Sequence, residues 1–201
     1  MDIYTVKATA YRGILNQKTY VLTNDSEAVI IDAGANVEDV KQFVGNRKVL
    51  GVLLTHLHFD HIWCIEDYIK EWNADIYVVN GAEEKFKNAE LNCSYLIRAD
   101  MTFNVSQKNI KYYAQKLKLG SFEFDVIFTP GHSADSVCLL TNKNLFCGDL
   151  VLDGTIGRTD LYDSSDYDMQ RSLEKLKFID FKIAYPGHYD KMTKEEVLNC
   201  F

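Results

Sequence analysis

Residues 55–61 read Thr-His-Leu-His-Phe-Asp-His, so three of the five histidines of a 201-residue chain fall within six positions, with an aspartate among them. Alternate side chains of an extended segment share a face, which puts His56, His58 and Asp60 on one side. His61 joins them only if the chain turns there. Four ligands from so short a run cannot readily wrap one tetrahedral ion, but each can contribute part of two adjacent sites. The other two histidines each follow one of the only two prolines, in Thr-Pro-Gly-His ending at His132 and Tyr-Pro-Gly-His ending at His188. In both, a strand-like run stops, Pro-Gly forces a sharp loop, and a histidine is presented at the strand end. A further run closes in Phe-Cys-Gly-Asp and sets Asp149 just past a glycine. Clustered imidazole and carboxylate of this kind is the signature of a metal site. Donors without thiolate suit zinc, iron or manganese. Asp60 could also cap the following helix and Asp149 hold a turn, roles compatible with ligation. Asp32, ending Ala-Val-Ile-Ile-Asp, is expected to orient a ligand histidine or to serve as a turn residue.

These side chains need rigid edges. The runs at 4–10, 19–24, 27–34, 48–55 and 74–80 are β-rich and separated by turn residues. The run Lys-Val-Leu-Gly-Val-Leu-Leu-Thr is apolar enough for a strand buried on both faces. Residues 37–46 suggest a short helix, and Ile62, Ile65, Ile69 and Trp72 recur at helical spacing, predicting a helix over 61–72. Strand patterns return at 122–129, 136–142 and 144–149, followed by a helix near 166–178, a strand at 182–186 and a helix from about Lys194. Two β-rich halves, each ending in strand and helix, predict an α/β fold, a four-layer αββα sandwich. Its expected extent is a single domain over 1–201, with a helical, lid-like insertion at about 82–118.

Composition narrows the class. Net charge is −7, which argues against nucleic acid as partner. Residues 81–120 nevertheless carry seven basic against four acidic side chains, which could meet a small anionic ligand or form a solvated face. The start of the chain lacks a secretory pattern, and no run approaches a membrane span, so a cytoplasmic protein without a membrane partner is expected. Five widely spaced cysteines with no CxxC pair read as reduced, mostly buried thiols. Composition gives no oligomeric state.

The order His-x-His-x-Asp-His, then His after Pro-Gly, then Gly-Asp, then a last His resembles the metallo-β-lactamase superfamily along essentially the whole chain. The resemblance implies that His56, His58 and His132 bind one metal, that Asp60, His61 and His188 bind a second, and that Asp149 bridges them. Aspartate rather than cysteine at the bridging position resembles the compact glyoxalase II-like (hydroxyacylglutathione hydrolase-like) branch; Cys147, two residues away, does not substitute. Gly-Arg-Thr-Asp at 157–160 looks like a segment shared by such proteins and by persulfide dioxygenases. The chain lacks room for the helical domain that binds glutathione in full-length glyoxalase II.

The implied activity is a dinuclear metal-dependent hydrolase of a small, anionic acyl thioester, with two divalent ions, zinc first and iron or manganese as alternatives. Asp60 is the expected catalytic residue, placed to ligate and to accept a hydrogen bond from the nucleophile. Arg158 is a candidate for gripping a substrate carboxylate, or else pairs with Asp160 or Asp163. Tyr189 lines the pocket or packs. One rival is a mononuclear iron persulfide dioxygenase using His56, His132 and Asp149. Another is a metal-binding protein with no catalytic role. A nuclease with the same metal core is disfavoured by the acidic balance.

Overall fold

The computed structural model describes residues 1–8 and 16–201; the last two residues of the run predicted as a strand over 4–10 lie outside them. Among the described residues, one sheet has the order β1 (Asp2–Lys7), β2 (Lys18–Thr23), β3 (Glu27–Ile31), β4 (Lys48–Leu53), β5 (Ile76–Val78), β6 (Ile110–Tyr112). A second runs β14 (Met192–Thr193), β13 (Ile183–Pro186), β10 (Asn144–Gly148), β9 (Val137–Thr141), β8 (Phe122–Phe128), β7 (Lys116–Leu119). A small hairpin pairs β11 (Val151–Leu152) with β12 (Thr155–Ile156).

The period-two alternation of strand side chains explains the layering. Val21, Ala28, Ile30 and Val52 point outward onto α1 (Val37–Val44) and α2 (Ile65–Trp72), where Val40, Val44, Ile65 and Tyr68 meet them. Their strand neighbours Leu22, Val29, Ile31 and Leu53 point inward onto Phe124, Val126, Leu139 and Phe146 of the second sheet. Cys138, Leu145 and Cys147 then face the other way, onto Met169, Leu173 and Leu176 of α3 (Asp166–Leu176) and Val197 of α4 (Lys194–Leu198). Each large aliphatic side chain so enclosed contributes about 1.5–3 kcal/mol. The result is the αββα sandwich.

The second-half helices start where capping dictates. Ser165 accepts the Asp168 amide at the head of α3, and Thr193 with Glu196 forms a capping box at α4. Two expectations need correction. The helix predicted over 61–72 begins only at Ile65, because Ala33 accepts from Cys64 and donates to the carbonyl of His61, holding 61–64 as a loop. The insertion at 82–118 is less helical than expected. Its helix is limited to 3-10 turns at Ala82–Lys87, Ser94–Ile97 and Gln107–Asn109, followed by β6 and β7. Gly81, Cys93 and Arg98 take left-handed backbone there and break any longer helix, while Asn88 caps the amides of Glu90 and Leu91 as an Asx turn. No helix among the described residues is long and apolar enough to cross a membrane.

Candidate metal centre

β10 and β13 are parallel, and β8 reaches the same direction through two antiparallel pairings across β9. The C-terminal ends of β8, β10 and β13 therefore meet at one edge, carrying His132, Asp149 and His188. The loop after β4 brings His56, His58, Asp60 and His61 to the same place. The Pro-Gly-His loop can close this tightly only because residue 187 has no side chain: a Cβ there would lie 2.2 Å from Asp149 Oδ1 and 2.5 Å from His61 Cε1.

All seven predicted donors converge. His58 Nδ1 lies 3.1 Å from His56 Nε2 and 3.0 Å from His132 Nε2. Nitrogens bound at about 2.0–2.1 Å around a tetrahedral ion would stand roughly 3.3 Å apart, so this triad has the dimensions of a ligand set. In the second group, Asp60 Oδ2 is 3.1 Å from His188 Nε2 and 4.0 Å from His61 Nε2. Asp149 sits between the groups. Its Oδ2 is 3.5 Å from both His132 Nε2 and His188 Nε2, and its Oδ1 is 3.4 Å from His61 Nε2. His61 Nε2 and Asp149 Oδ1 are buried with no hydrogen-bond partner. Orphaned polar atoms this close together, set among other imidazole and carboxylate groups, have the chemistry of a cation site. The donors present therefore fit two divalent ions, one at each histidine group.

Burial pushes the pKa of His56 and His58 well below the ordinary imidazole range, helped by His61 beside the first and His132 beside the second. Both are neutral, as ligation requires. Burial also opposes charge on His61 and His188, but carboxylates outweigh it. Asp32, Asp149 and Asp60 raise His61 well above its usual value, and Asp149 and Asp60 raise His188. Burial works against ionisation of Asp149 and Asp60 too, yet the facing histidines hold both below the usual carboxylate range. A pH dependence follows. In the metal-free protein the carboxylates favour the protonated forms of His61 and His188, and a cation must displace those protons. Binding at Asp60, His61 and His188 should release protons and tighten as pH rises above the ordinary imidazole range, a dependence to which the neutral His56 and His58 add nothing. Metal titrations in buffers of different ionisation enthalpy measure this directly.

The supports are longer-range. Asp32 accepts from Thr55 N at 2.8 Å and lies 2.8 Å from His61 Nδ1, fixing that ring with Nε2 toward Asp149; this is the orienting role expected of it. Gln17 Nε2 stands 3.5 Å from both the Asp32 carboxylate and His61 Nδ1, and Thr55 Oγ1 is 3.2 Å from His56 Nδ1. The Arg158 carbonyl is 2.9 Å from His132 Nδ1. Beneath the cluster, Asp135 Oδ2 accepts the Leu57 amide at 3.0 Å, pinning the backbone between His56 and His58. Its other oxygen pairs with Lys85 Nζ at 2.6 Å, and Lys85 also bonds Ser133 and Asp163. Sequence reading missed Gln17 and Lys85, and it named Asp163 only as a partner for Arg158, whereas the structure pairs it with Lys85. The only local hint was Asp135, three positions past a ligand histidine.

The two substrate-binding candidates fall differently. The Arg158 side chain makes a two-pronged pair with Asp160 at 2.6 and 2.7 Å, its self-contained alternative, although it also borders a cavity of about 240 Å³ beside His58, Asp60, His132 and Asp149. Tyr189 is exposed, holds a left-handed φ of 64°, and lines a different cavity, bordered by Lys18, Tyr185 and Asp190. Cys93 enters the metal-side cavity, but burial pushes its thiol up to about 12, so it is no nucleophile. All five cysteines are free; Cys147 lies in the outer core against α3 and α4 and is in none of the three candidate ligand groups.

Fold and donor set together define a metallo-hydrolase. The chain belongs to the metallo-beta-lactamase superfamily, whose family model matches residues 12–188. It is 30% identical to the "Probable metallo-hydrolase YqgX" of Bacillus subtilis (strain 168), covering 92% of each chain. A "Hydroxyacylglutathione hydrolase" of Buchnera aphidicola subsp. Schizaphis graminum is 27% identical over 84% of this chain and 60% of its own length. Among solved structures, the BLEG-1 B3 metallo-beta-lactamase superposes with a TM-score of 0.87 at 28% identity, covering 97% of this chain and 95% of that one.

Proposed function

We propose that this protein is a dinuclear hydrolase of a small acyl thioester, acting in the cytoplasm. The observation that carries the reading is Asp149, a carboxylate shared by both histidine groups where a thiolate would mark a different branch. Two ions held there would supply Lewis-acid polarisation of a carbonyl and a nucleophile active at neutral pH. The protein's own contribution is positional. Asp60, kept ionised by His61 and His188, can accept a hydrogen bond from the attacking water and aim it. Neutral His56 and His58 offer lone pairs at no deprotonation cost. A thiolate leaves without protonation, which suits a site whose cavity offers no free acid: its lining beyond the donors is Cys93, Leu96, Ile97, Leu161, Phe59 and the paired Arg158. That lining and the cavity's size suit a short acyl chain. The 3-10 turn at Ser94–Ile97 supplies part of it, so the 82–118 stretch would act as a partial lid of a single domain.

The test is elemental analysis of protein purified without added metal, followed by turnover of S-lactoylglutathione and short coenzyme A thioesters with zinc, iron and manganese. Two ions per chain and thioester cleavage are expected. One iron per chain with oxygen uptake selects the dioxygenase; no turnover with any metal rejects the hydrolase.

A further inference from the structure

Two lysines are buried among the described residues, and they are satisfied very differently. Lys85, its side chain 5% exposed, is ringed by Ser133, Asp135 and Asp163. Lys18, at 7%, has one partner among the described residues, Asp190 Oδ1 at 3.5 Å, and that carboxylate is 89% exposed. A buried ammonium carries three donors and is costly to leave without a close anion. Lys18 borders a cavity of about 520 Å³ whose lining adds Lys7, Lys191, Tyr185 and Tyr189. Three cations there face one carboxylate, in a chain whose net charge is −7. By contrast, the basic excess at 81–120 is largely spent: Lys111, Lys116 and Lys118 pair with Asp75, Asp125 and Glu123.

The cavity is tied to the metal edge. The Lys18 amide donates to the Gly187 carbonyl at 2.7 Å, and Tyr20 donates to Pro186 O at 2.6 Å, so β2 is fastened to the loop that presents His188. Tyr189, the next residue, reaches this wall only by holding a left-handed φ that a bulky side chain rarely adopts.

The geometry points to an oxyanion subsite at Lys18, Lys7 and Lys191 that takes the anionic end of the thiol carrier. It rests on the thioesterase reading. The acyl group would occupy the cavity beside Asp60, and the carrier would pass His188 to place a phosphate or a carboxylate on Lys18, which exchanges its long contact with Asp190 for a close anion. Two sources share that chemistry, a nucleotide carrier and a peptide carrier.

Calorimetric titration of the metal-loaded protein with coenzyme A, glutathione and pantetheine separates them. Coenzyme A and pantetheine carry the same cysteamine thiol, so between them any thiol–metal contact cancels; glutathione offers a closely similar primary thiol, and only pantetheine lacks an anion. At least one anionic carrier should bind 10-fold or more tighter than pantetheine, with the advantage shrinking at high salt. Coenzyme A alone identifies phosphate, glutathione alone identifies carboxylate, and both indicate a general oxyanion site. The advantage should vanish in Lys18→Met and fall several-fold in Lys7→Gln/Lys191→Gln, whose exposed side chains put folding at little risk. No advantage over pantetheine, or an advantage unchanged in the Lys7/Lys191 variant, overturns the subsite. Because binding is read without turnover, a lysine-dependent carrier affinity in a protein that cleaves no thioester would reject the hydrolase and keep the subsite.

Discussion

Asp149→Ala is expected to reduce thioester turnover by about 10³-fold or more and to lower the bound metal from two ions per chain to one or fewer. Removing a single well-placed electrostatic contact from an active site already costs roughly 10²–10³ in rate. Asp149 contacts three histidines drawn from both groups, at 3.4 to 3.5 Å. Its loss also leaves His61, whose raised pKa depends on it, a buried cation with one fewer counter-charge. Elemental analysis and kcat/KM on the same preparation check both effects. Full activity with two ions retained would remove Asp149 from the centre and with it the dinuclear reading.

Lys85→Met should be the most damaging substitution outside the donor set. It leaves Asp135 and Asp163 facing each other without the cation between them. Breaking a buried ion pair from one side typically costs about 3–5 kcal/mol. At ~2–4 °C per kcal/mol for a chain of this size, the melting temperature should fall by roughly 6–20 °C. The damage should also reach the metals. Asp135 holds the Leu57 amide between two ligand histidines, so a loosened Asp135 should weaken metal affinity by about 10–100-fold, the range seen when a ligand's supports are removed. Thermal unfolding and chelator competition read the two effects separately. Adding Asp163→Asn should recover part of the stability by removing one uncompensated charge. A Lys85→Met protein that melts with the parent would show that the clamp carries no weight.

Much of the site was legible because its chemistry is written locally. His56, His58, Asp60 and His61 lie in one loop, and each remaining donor is announced by a strand followed by a proline or glycine. The layered fold was legible for a similar reason. Two β-rich halves, each closing in a strand and a helix, are patterns of neighbouring residues, and they already imply two packed sheets with helices outside. The 82–118 stretch was less legible because the decisive features are backbone angles at Cys93 and Arg98, which those residue types do not advertise.

What the sequence determined alone is the set of candidate metal donors and the αββα layering, since both follow from residue type and short-range spacing. Only the tertiary structure decided how each charge is answered. Lys85 meets Asp135 across 50 positions and Lys18 meets Asp190 across 172. Whether such a lysine is a clamp or an open anion site depends on which carboxylate reaches it and how much water remains. Those are outcomes of packing distant segments together, and no local pattern of residues encodes them.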